Sequence, residues 1–372
     1  MRLRLAVLVL VLVAGCAPLQ NPGAPSGGGL AGPGALSAPA KGVLQVAFLD
    51  VGQGDAALVQ LPGPVNVLID GGPSGAGPRV LEALEQSGVR KLDWVIGSHP
   101  HEDHIGGLMD VLPEVPVARL LDPAFPHTTA LYKKYLQLIR DKGIRPTAAR
   151  AGQTYDLGSG ARLEILAPET PLLTGTESDA NNNSIVARLV FGSTRFLFTG
   201  DMEEDERARL LQSASPAQLQ ADVLKVAHHG SHNGTDPDFL RAVQPRYAVI
   251  SLARNNDYGH PHREPLQMLQ SQGVPVLRTD ERGTVVFTSD GRTLTLVGGQ
   301  ASGTVRTPAQ PDPGRTAPAT GGRVVGNSTS RVYHRPNCRA LPGPSNRTEF
   351  GSAGAAESAG YRAHKACMQG GV

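Results

Sequence analysis

The residues of this chain best suited to chemistry crowd into one stretch, Ser98-His99-Pro100-His101-Glu102-Asp103-His104-Ile105-Gly106-Gly107. Three imidazoles and a carboxylate between positions 99 and 104 cannot all be buried without partners, because unpaired polar groups are costly in an apolar interior. A pair of divalent cations meets that demand. Neutral imidazole and carboxylate are ordinary zinc ligands, and manganese is the alternative. His99 and His101 alternate along the chain and so face one cation. Asp103 and His104 turn to a second. Gly106 and Gly107 let backbone approach the site closely. Two cations about 3.5–4 Å apart would lower the pKa of a shared water, hold an electrophile and stabilise a leaving oxygen. The chemistry indicated is hydrolysis.

Positioning such a cluster takes strands that end at it. Short apolar runs read as strands at Val43–Leu49, Ala57–Leu61, Val65–Ile69, Trp94–Gly97, Ile185–Phe191, Arg195–Phe198, Val223–Ala227, Tyr247–Ser251, Val285–Thr288 and Thr293–Val297. Helices are expected at Pro78–Ser87, Leu131–Lys142, Glu203–Leu211, Pro237–Val243 and Glu264–Gln272. Thr235-Asp236-Pro237 reads as a cap followed by proline in the first turn. Paired strands first, then strand–helix alternation, predict an α/β domain of two mixed sheets sandwiched between helices.

The spacing H-x-H-x-D-H resembles the metallo-β-lactamase superfamily motif in full. The resemblance implies a four-layer αβ/βα sandwich over residues 42–297. It also implies that Asp201, in Thr199-Gly200-Asp201, bridges the two metals. His260, in Tyr258-Gly259-His260-Pro261-His262, is implied as the last ligand. A narrower resemblance is carried by Asp50-Val51-Gly52-Gln53-Gly54-Asp55-Ala56, Leu68-Ile69-Asp70-Gly71-Gly72, Asn182-Asn183-Ser184-Ile185-Val186 and Lys225-Val226-Ala227-His228-His229-Gly230-Ser231. In this order they look like the hydrolase domain of ComEC/Rec2 competence proteins, over about Gln45 to Val297. No long apolar segment follows, so the channel part of that family is not expected here.

Superfamily members supply a third histidine to the first metal just before the strand at Ile185. Here that stretch is Asp179-Ala180-Asn181-Asn182-Asn183. His228 is the natural substitute, with His229 at the substrate. The alternative is that His228 only hydrogen-bonds the bridging group. The expected first site is therefore His99, His101, His228 and Asp201, and the second is Asp103, His104, Asp201 and His260. Asp103, His229 and Lys225 are candidate catalytic groups. His229, His262 or Lys225 would protonate the leaving group or contact a phosphate. Asp50, Asp70 and Asn183 are expected to orient ligands from behind, as is Asp55, although Asp50 and Asp55 would serve equally in a glycine turn.

The ComEC/Rec2 resemblance implies phosphodiester hydrolysis, with single-stranded DNA as a candidate substrate. Charge tempers this: 35 basic against 33 acidic residues give +2, which excludes a dedicated polybasic nucleic-acid binder. The alternatives are another hydrolase of the same fold (phosphocholine esterase, lactonase or β-lactamase) and a tethered DNA-binding protein with a degenerate site. No protein partner is inferable.

Residues 298–323 turn to Pro, Gly, Thr and Ala and read as a linker. The small module at 324–372 needs a staple. Its Tyr333-His334-Arg335-Pro336-Asn337-Cys338 and Ala363-His364-Lys365-Ala366-Cys367 resemble the metal-binding domain of the Ada DNA-repair protein, with His364 where a cysteine is common. His334, Cys338, His364 and Cys367 would close a structural zinc site. A Cys338–Cys367 disulfide is the alternative.

At the other end, Arg2 and Arg4 precede an apolar run from Leu5 to Val13, followed by Ala14-Gly15-Cys16. The run is too short to span a bilayer. Val13-Ala14-Gly15-Cys16 resembles a bacterial lipobox, which implies a signal peptide at 1–16, lipidation of Cys16 and export to the cell envelope on a membrane anchor. The Pro/Gly/Ala/Ser-rich stretch at 17–41 reads as its tether.

Overall fold

The computed structural model describes residues 36–298 and, beyond them, 324–327, 332–336, 338, 341, 347–350, 356 and 361–363. The expected signal peptide with Cys16, nearly all of the tether, the linker from position 299 onward, His364 and Cys367 lie outside these residues. The chain divides into two compact units after Ser302.

The first unit contains two sheets. One runs in the order Leu294–Gly298, Val285–Ser289, Leu44–Phe48, Ala57–Gln60, Asn66–Ile69, Leu92–Ile96, Val117–Asp122, Pro146–Ala148. The other runs Val276–Arg278, Tyr247–Ile250, Val223–Lys225, Thr194–Phe198, Val186–Phe191, Ala161–Ala167, Thr154–Gly158. Alternation within strands sorts side chains into layers. Phe48 faces the interior between the sheets with Phe196, Phe198 and Phe287. Its neighbour Ala47 faces outward against helix residues such as Val80, Leu84 and Tyr135. On the far side, Leu197, Leu224 and Ile250 pack against Leu210, Phe239 and Leu269. Helix, sheet, sheet and helix make the four layers of a metallo-β-lactamase fold, and every strand and helix expected from the sequence has a counterpart. The expected cap is present: Asp236 Oδ1 accepts the Phe239 amide at 2.7 Å.

Five strands lie outside the sequence expectation, at Val117–Asp122, Pro146–Ala148, Thr154–Gly158, Ala161–Ala167 and Val276–Arg278. Pro146–Ala148 is exposed throughout and carries no hydrophobic period. Helices Glu102–Ile105 and Leu108–Glu114 are also additions. Gly106-Gly107 between them and Pro113 within the second conceal the periodicity.

Asp122 ends its strand buried, accepting Tyr132 Oη at 3.1 Å and the Ala124 amide at 2.7 Å. Burial pushes its carboxyl up to about 6, against the pull of these bonds and of Arg150. A folded pKa above the unfolded one favours the fold while the group is protonated. That stability is complete below about pH 4 and is lost as pH rises toward 6. Asp122→Asn is expected to remove this loss. The stability difference between wild type and variant should change by up to about 3 kcal/mol between pH 4 and pH 7 in urea titrations.

The second unit is a four-stranded sheet in the order Arg347–Phe350, Val324–Asn327, Val332–His334, Arg362–Ala363. Val324, Tyr333, Ala356 and Tyr361 form its core.

Candidate metal centre

The site forms where strands of both sheets end, at their carboxyl ends, as is usual when parallel strands face a crevice. Strand Asn66–Ile69 delivers Asp70, and the parallel strand Leu92–Ile96 delivers Ser98 and His99. In the other sheet, Thr194–Phe198 delivers Asp201, Val223–Lys225 delivers His228 and His229, and Tyr247–Ile250 leads toward His260. The Ile185 amide donates to Ser98 O at 2.8 Å and ties the sheets together beneath the cluster.

Main-chain bonds fasten the loops to one another. The Asp55 amide donates to Asp103 O at 3.1 Å, Gly71 to His104 O at 2.7 Å, Gly72 to Asp55 O at 2.7 Å and Gly107 to Gly72 O at 2.9 Å. Glycine is required along this seam. A Cβ on Gly107 would stand 2.0 Å from Gly71 O, and one on Gly54 would stand 2.2 Å from Asp103 O.

Asp70 sets the first imidazole. Its Oδ1 accepts the Ser98 amide at 2.7 Å, and its Oδ2 lies 2.9 Å from His104 Nδ1. His104 Nδ1 is thus the donor, and its Nε2 faces the centre, 3.2 Å from Asp201 Oδ1 and 3.9 Å from Asp103 Oδ2. His229 is set the same way by Ser251 O, 2.8 Å from its Nδ1. Its Nε2 lies 3.1 Å from Asp103 Oδ2 and 3.5 Å from Asp201 Oδ2. One ligand atom from each of Asp103, His104, Asp201 and His229 falls within 4.8 Å of the others. On the other side, Asp201 Oδ2 lies 3.8 Å from His99 Nε2 and 3.9 Å from His228 Nε2, and His101 Nδ1 is 3.1 Å from His99 Nε2.

This set fits divalent cations. His104 Nε2 and Asp201 Oδ1 are fully buried, yet neither makes a hydrogen bond, a state that buried polar atoms rarely keep. Electrostatics agrees. Burial lowers the His104 pKa, but Asp201, Asp103 and Asp70 together hold it well above its usual value. His229 is raised in the same way by Asp201 and Asp55. Burial would raise the Asp201 carboxyl, but His104, His229 and His228 hold it well below the usual range. The positive charge these imidazoles carry as protons is the charge that cations would bring, with release of the protons.

The structure differs from the sequence expectation at several positions. His229, not His260, joins Asp103, His104 and Asp201. Its backbone and that of His228 are left-handed, at φ 52° and 50°. In that turn both adjacent rings face the centre, which an extended strand end would forbid. His260 stands further out, its ring 5.6 Å from that of His228 and 6.4 Å from that of His229. Burial, with His229, His228 and His262 nearby, lowers its pKa to about 3.

Lys225 is buried, not open to solvent as the catalytic reading expected. It sits behind the ligands, ion-paired with Asp55 and donating to Gly200 O at 3.0 Å, where it holds the Asp201 turn. Asp50 is exposed and accepts only the Gly52 amide, as a turn residue does. Asn183 bonds Leu173 N and O and Asp179 O, so it shapes a loop and touches no ligand. Asp55, between Lys225, His229 and His104, sits behind the ligands with Asp70.

Sequence reasoning passed over Glu203, whose place at a helix start reads as an ordinary acidic first turn. It also passed over Asn181. Both are buried beside His228. A cavity of about 370 Å³ opens over the centre, bordered by Gln53, His127, Tyr258 and His260.

In the second unit, His334 is buried and its Nδ1 lies 3.4 Å from Cys338 Sγ. Cys338 is disulfide-bonded, the alternative to zinc that the sequence left open, and a sulfur in that bond is not the thiolate that the expected zinc set requires.

Comparison with known proteins follows this geometry. The family model described as "Metallo-beta-lactamase superfamily" matches residues 49–254, and "Metal binding domain of Ada" matches 314–369. The chain is 33% identical over 260 residues to ComE operon protein 3 of Bacillus subtilis, covering 65% of this chain and 33% of that protein. It is 30% identical over 242 residues to competence protein ComA of Neisseria gonorrhoeae, covering 65% and 32%. It is 32% identical over 246 residues to recombination protein 2 of Haemophilus influenzae, covering 65% and 28%. The chain therefore spans about a third of the length of these curated relatives.

Proposed function

The chain belongs to the metallo-beta-lactamase superfamily, and on that premise we propose that it is an exported, dinuclear phosphodiesterase acting on single-stranded DNA. The coarser statement stands without proposal: it is a metal-dependent hydrolase of this fold, related to ComEC/Rec2 competence proteins, with a C-terminal stretch that matches the metal binding domain of Ada.

One observation carries the dinuclear reading. The buried Asp201 carboxylate presents Oδ1 to His104 and Oδ2 to His99, His228 and His229, so both of its oxygens face imidazole donors. Bound cations supply Lewis acidity and an activated water. Asp70 and Ser251 O hold the imidazoles of His104 and His229 with their Nε2 atoms inward. Lys225 and Asp55 brace the turn that carries Asp201.

The rim of the cavity favours a polynucleotide. Tyr258 is 66% exposed, stacked at 5.6 Å on His260, and offers a bare ring to a nucleobase. Stacking of one base on an aromatic ring contributes about 1–3 kcal/mol. Tyr258→Ala is therefore expected to raise KM for single-stranded DNA about five- to a hundredfold. Turnover at saturating DNA, which is set at the cation centre, should be unchanged.

The reading is tested by assaying the metal-loaded protein on single-stranded DNA, bis-p-nitrophenyl phosphate and nitrocefin. Cleavage of the first two supports it; cleavage of nitrocefin alone overturns it. Export rests on the Arg2-to-Cys16 segment. Among the described residues no helix is long and apolar enough to cross a membrane, so attachment is proposed through a lipid on Cys16. Absence of radiolabelled palmitate from the protein purified from labelled cells would count against it.

A further inference from the structure

Asn181 is 4% exposed and lines the cavity with His101, His228 and Asp201. Its Nδ2 donates to Glu203 Oε1 at 2.7 Å. An ionised carboxylate only accepts, so it takes the NH₂ end of the amide and fixes which way the amide faces. The other end, Oδ1, is buried and hydrogen-bonded to nothing. A buried carbonyl oxygen in that state is waiting for an electropositive partner.

The His228 imidazole is held from two sides: its Nδ1 lies 3.1 Å from Asn233 Oδ1 and 3.3 Å from Glu203 Oε1. With the ring proton held at Nδ1, the lone pair is left on Nε2, 3.9 Å from Asp201 Oδ2. Asn182 Nδ2, at 3.4 Å from Glu203 Oε2, steadies the carboxylate itself. Glu203 thus aims the amide oxygen of Asn181 and shares with Asn233 the aiming of the His228 nitrogen. His228 brings that nitrogen to the Asp201 oxygen that His99 also faces.

We propose that Asn181 Oδ1 is a ligand of the cation on the Oδ2 side of Asp201, and that Glu203 is the positioning residue that aims Asn181 and, together with Asn233, His228 at it. This rests on the dinuclear reading above. Asn181 would then do with an amide oxygen what a further histidine could do with a ring nitrogen.

The test uses the full chain, stripped with a chelator and titrated with zinc and, separately, with cobalt. Bound metal is counted by mass spectrometry after dialysis. Asn181→Leu, of similar volume and without a donor, is expected to weaken one equivalent by tenfold or more and leave the others unchanged. Asn181→His is expected to restore that equivalent. It should also shift the visible absorption of the cobalt-loaded protein, which a residue outside the coordination sphere would leave in place. Glu203→Gln is expected to weaken the same equivalent by a smaller factor, because the NH₂ group that replaces one carboxylate oxygen cannot accept, so the side chain can no longer hold Asn182 at one end and Asn181 with His228 at the other.

Wild-type affinity for every equivalent in Asn181→Leu, with circular dichroism unchanged, overturns the proposal. Equal weakening by leucine and histidine also overturns it, since that pattern marks a merely structural role. If the wild type binds fewer than two cations besides any held by the C-terminal domain, the dinuclear reading itself fails first, and the two failures are thereby told apart.

Discussion

Asp201→Asn is expected to reduce metal content by at least one equivalent per chain and hydrolytic activity by on the order of a thousandfold or more, about 4 kcal/mol of barrier. The reasoning is geometric. Both oxygens of Asp201 are committed, Oδ1 toward His104 and Oδ2 toward His99, His228 and His229. Asparagine keeps one acceptor and turns an NH₂ group on the opposite donor set, which repels a cation as well as failing to bind it. Metal analysis and phosphodiester turnover, measured on one preparation, check both halves. Loss of metal with activity intact would show that the chemistry lies elsewhere.

Chelation of the wild-type protein is expected to lower its thermal midpoint markedly. Each cation bound at a thousand times its dissociation constant stabilises the fold by about 4 kcal/mol. For a domain of this size, that is a fall of roughly 5–10 °C for each cation removed, seen by calorimetry and reversed by adding metal. The effect should be large because, without cations, the buried carboxylates must be balanced by protons held on His104 and His229 against the pull of burial. Asp55, Asp70 and Asp201 are all less than 10% exposed, and three or more imidazoles stand among them. Asp201→Asn, already short of metal, should show a smaller chelator response. An unchanged midpoint in the wild type would mean that the cluster is satisfied by its own protons.

Much of this was legible beforehand, for a physical reason. Cation ligands carry their own spacing, so His99, His101, Asp103 and His104 announce a centre without help from the fold. Strands that feed such a centre are short apolar runs, and those runs stand out against a glycine-rich background. The choice between His228 and His229 was not legible. It depends on two consecutive left-handed residues, a conformation that neither ring imposes. Lys225 looked free to meet a phosphate because a sequence does not show that Asp55 and Gly200 O lie over its ammonium group. Asn181 and Glu203 were passed over because an amide and a first-turn acid have many ordinary uses. The strands at Pro146–Ala148 and Thr154–Gly158 escaped notice because edge positions bury too little to leave a pattern.

The peptide-to-peptide seam among Asp55, Gly71, Gly72, Asp103, His104 and Gly107 has a consequence for how this catalyst can be altered. Its rigidity comes from groups every amino acid shares, so the ligand frame is indifferent to most side-chain changes and vulnerable only where a methyl group cannot fit, as at Gly54 and Gly107. Gln53, His127 and Tyr258, which border the opening, take no part in that stitching. Substrate preference is therefore a separable trait, open to redesign at the rim while the cation cradle stays as built.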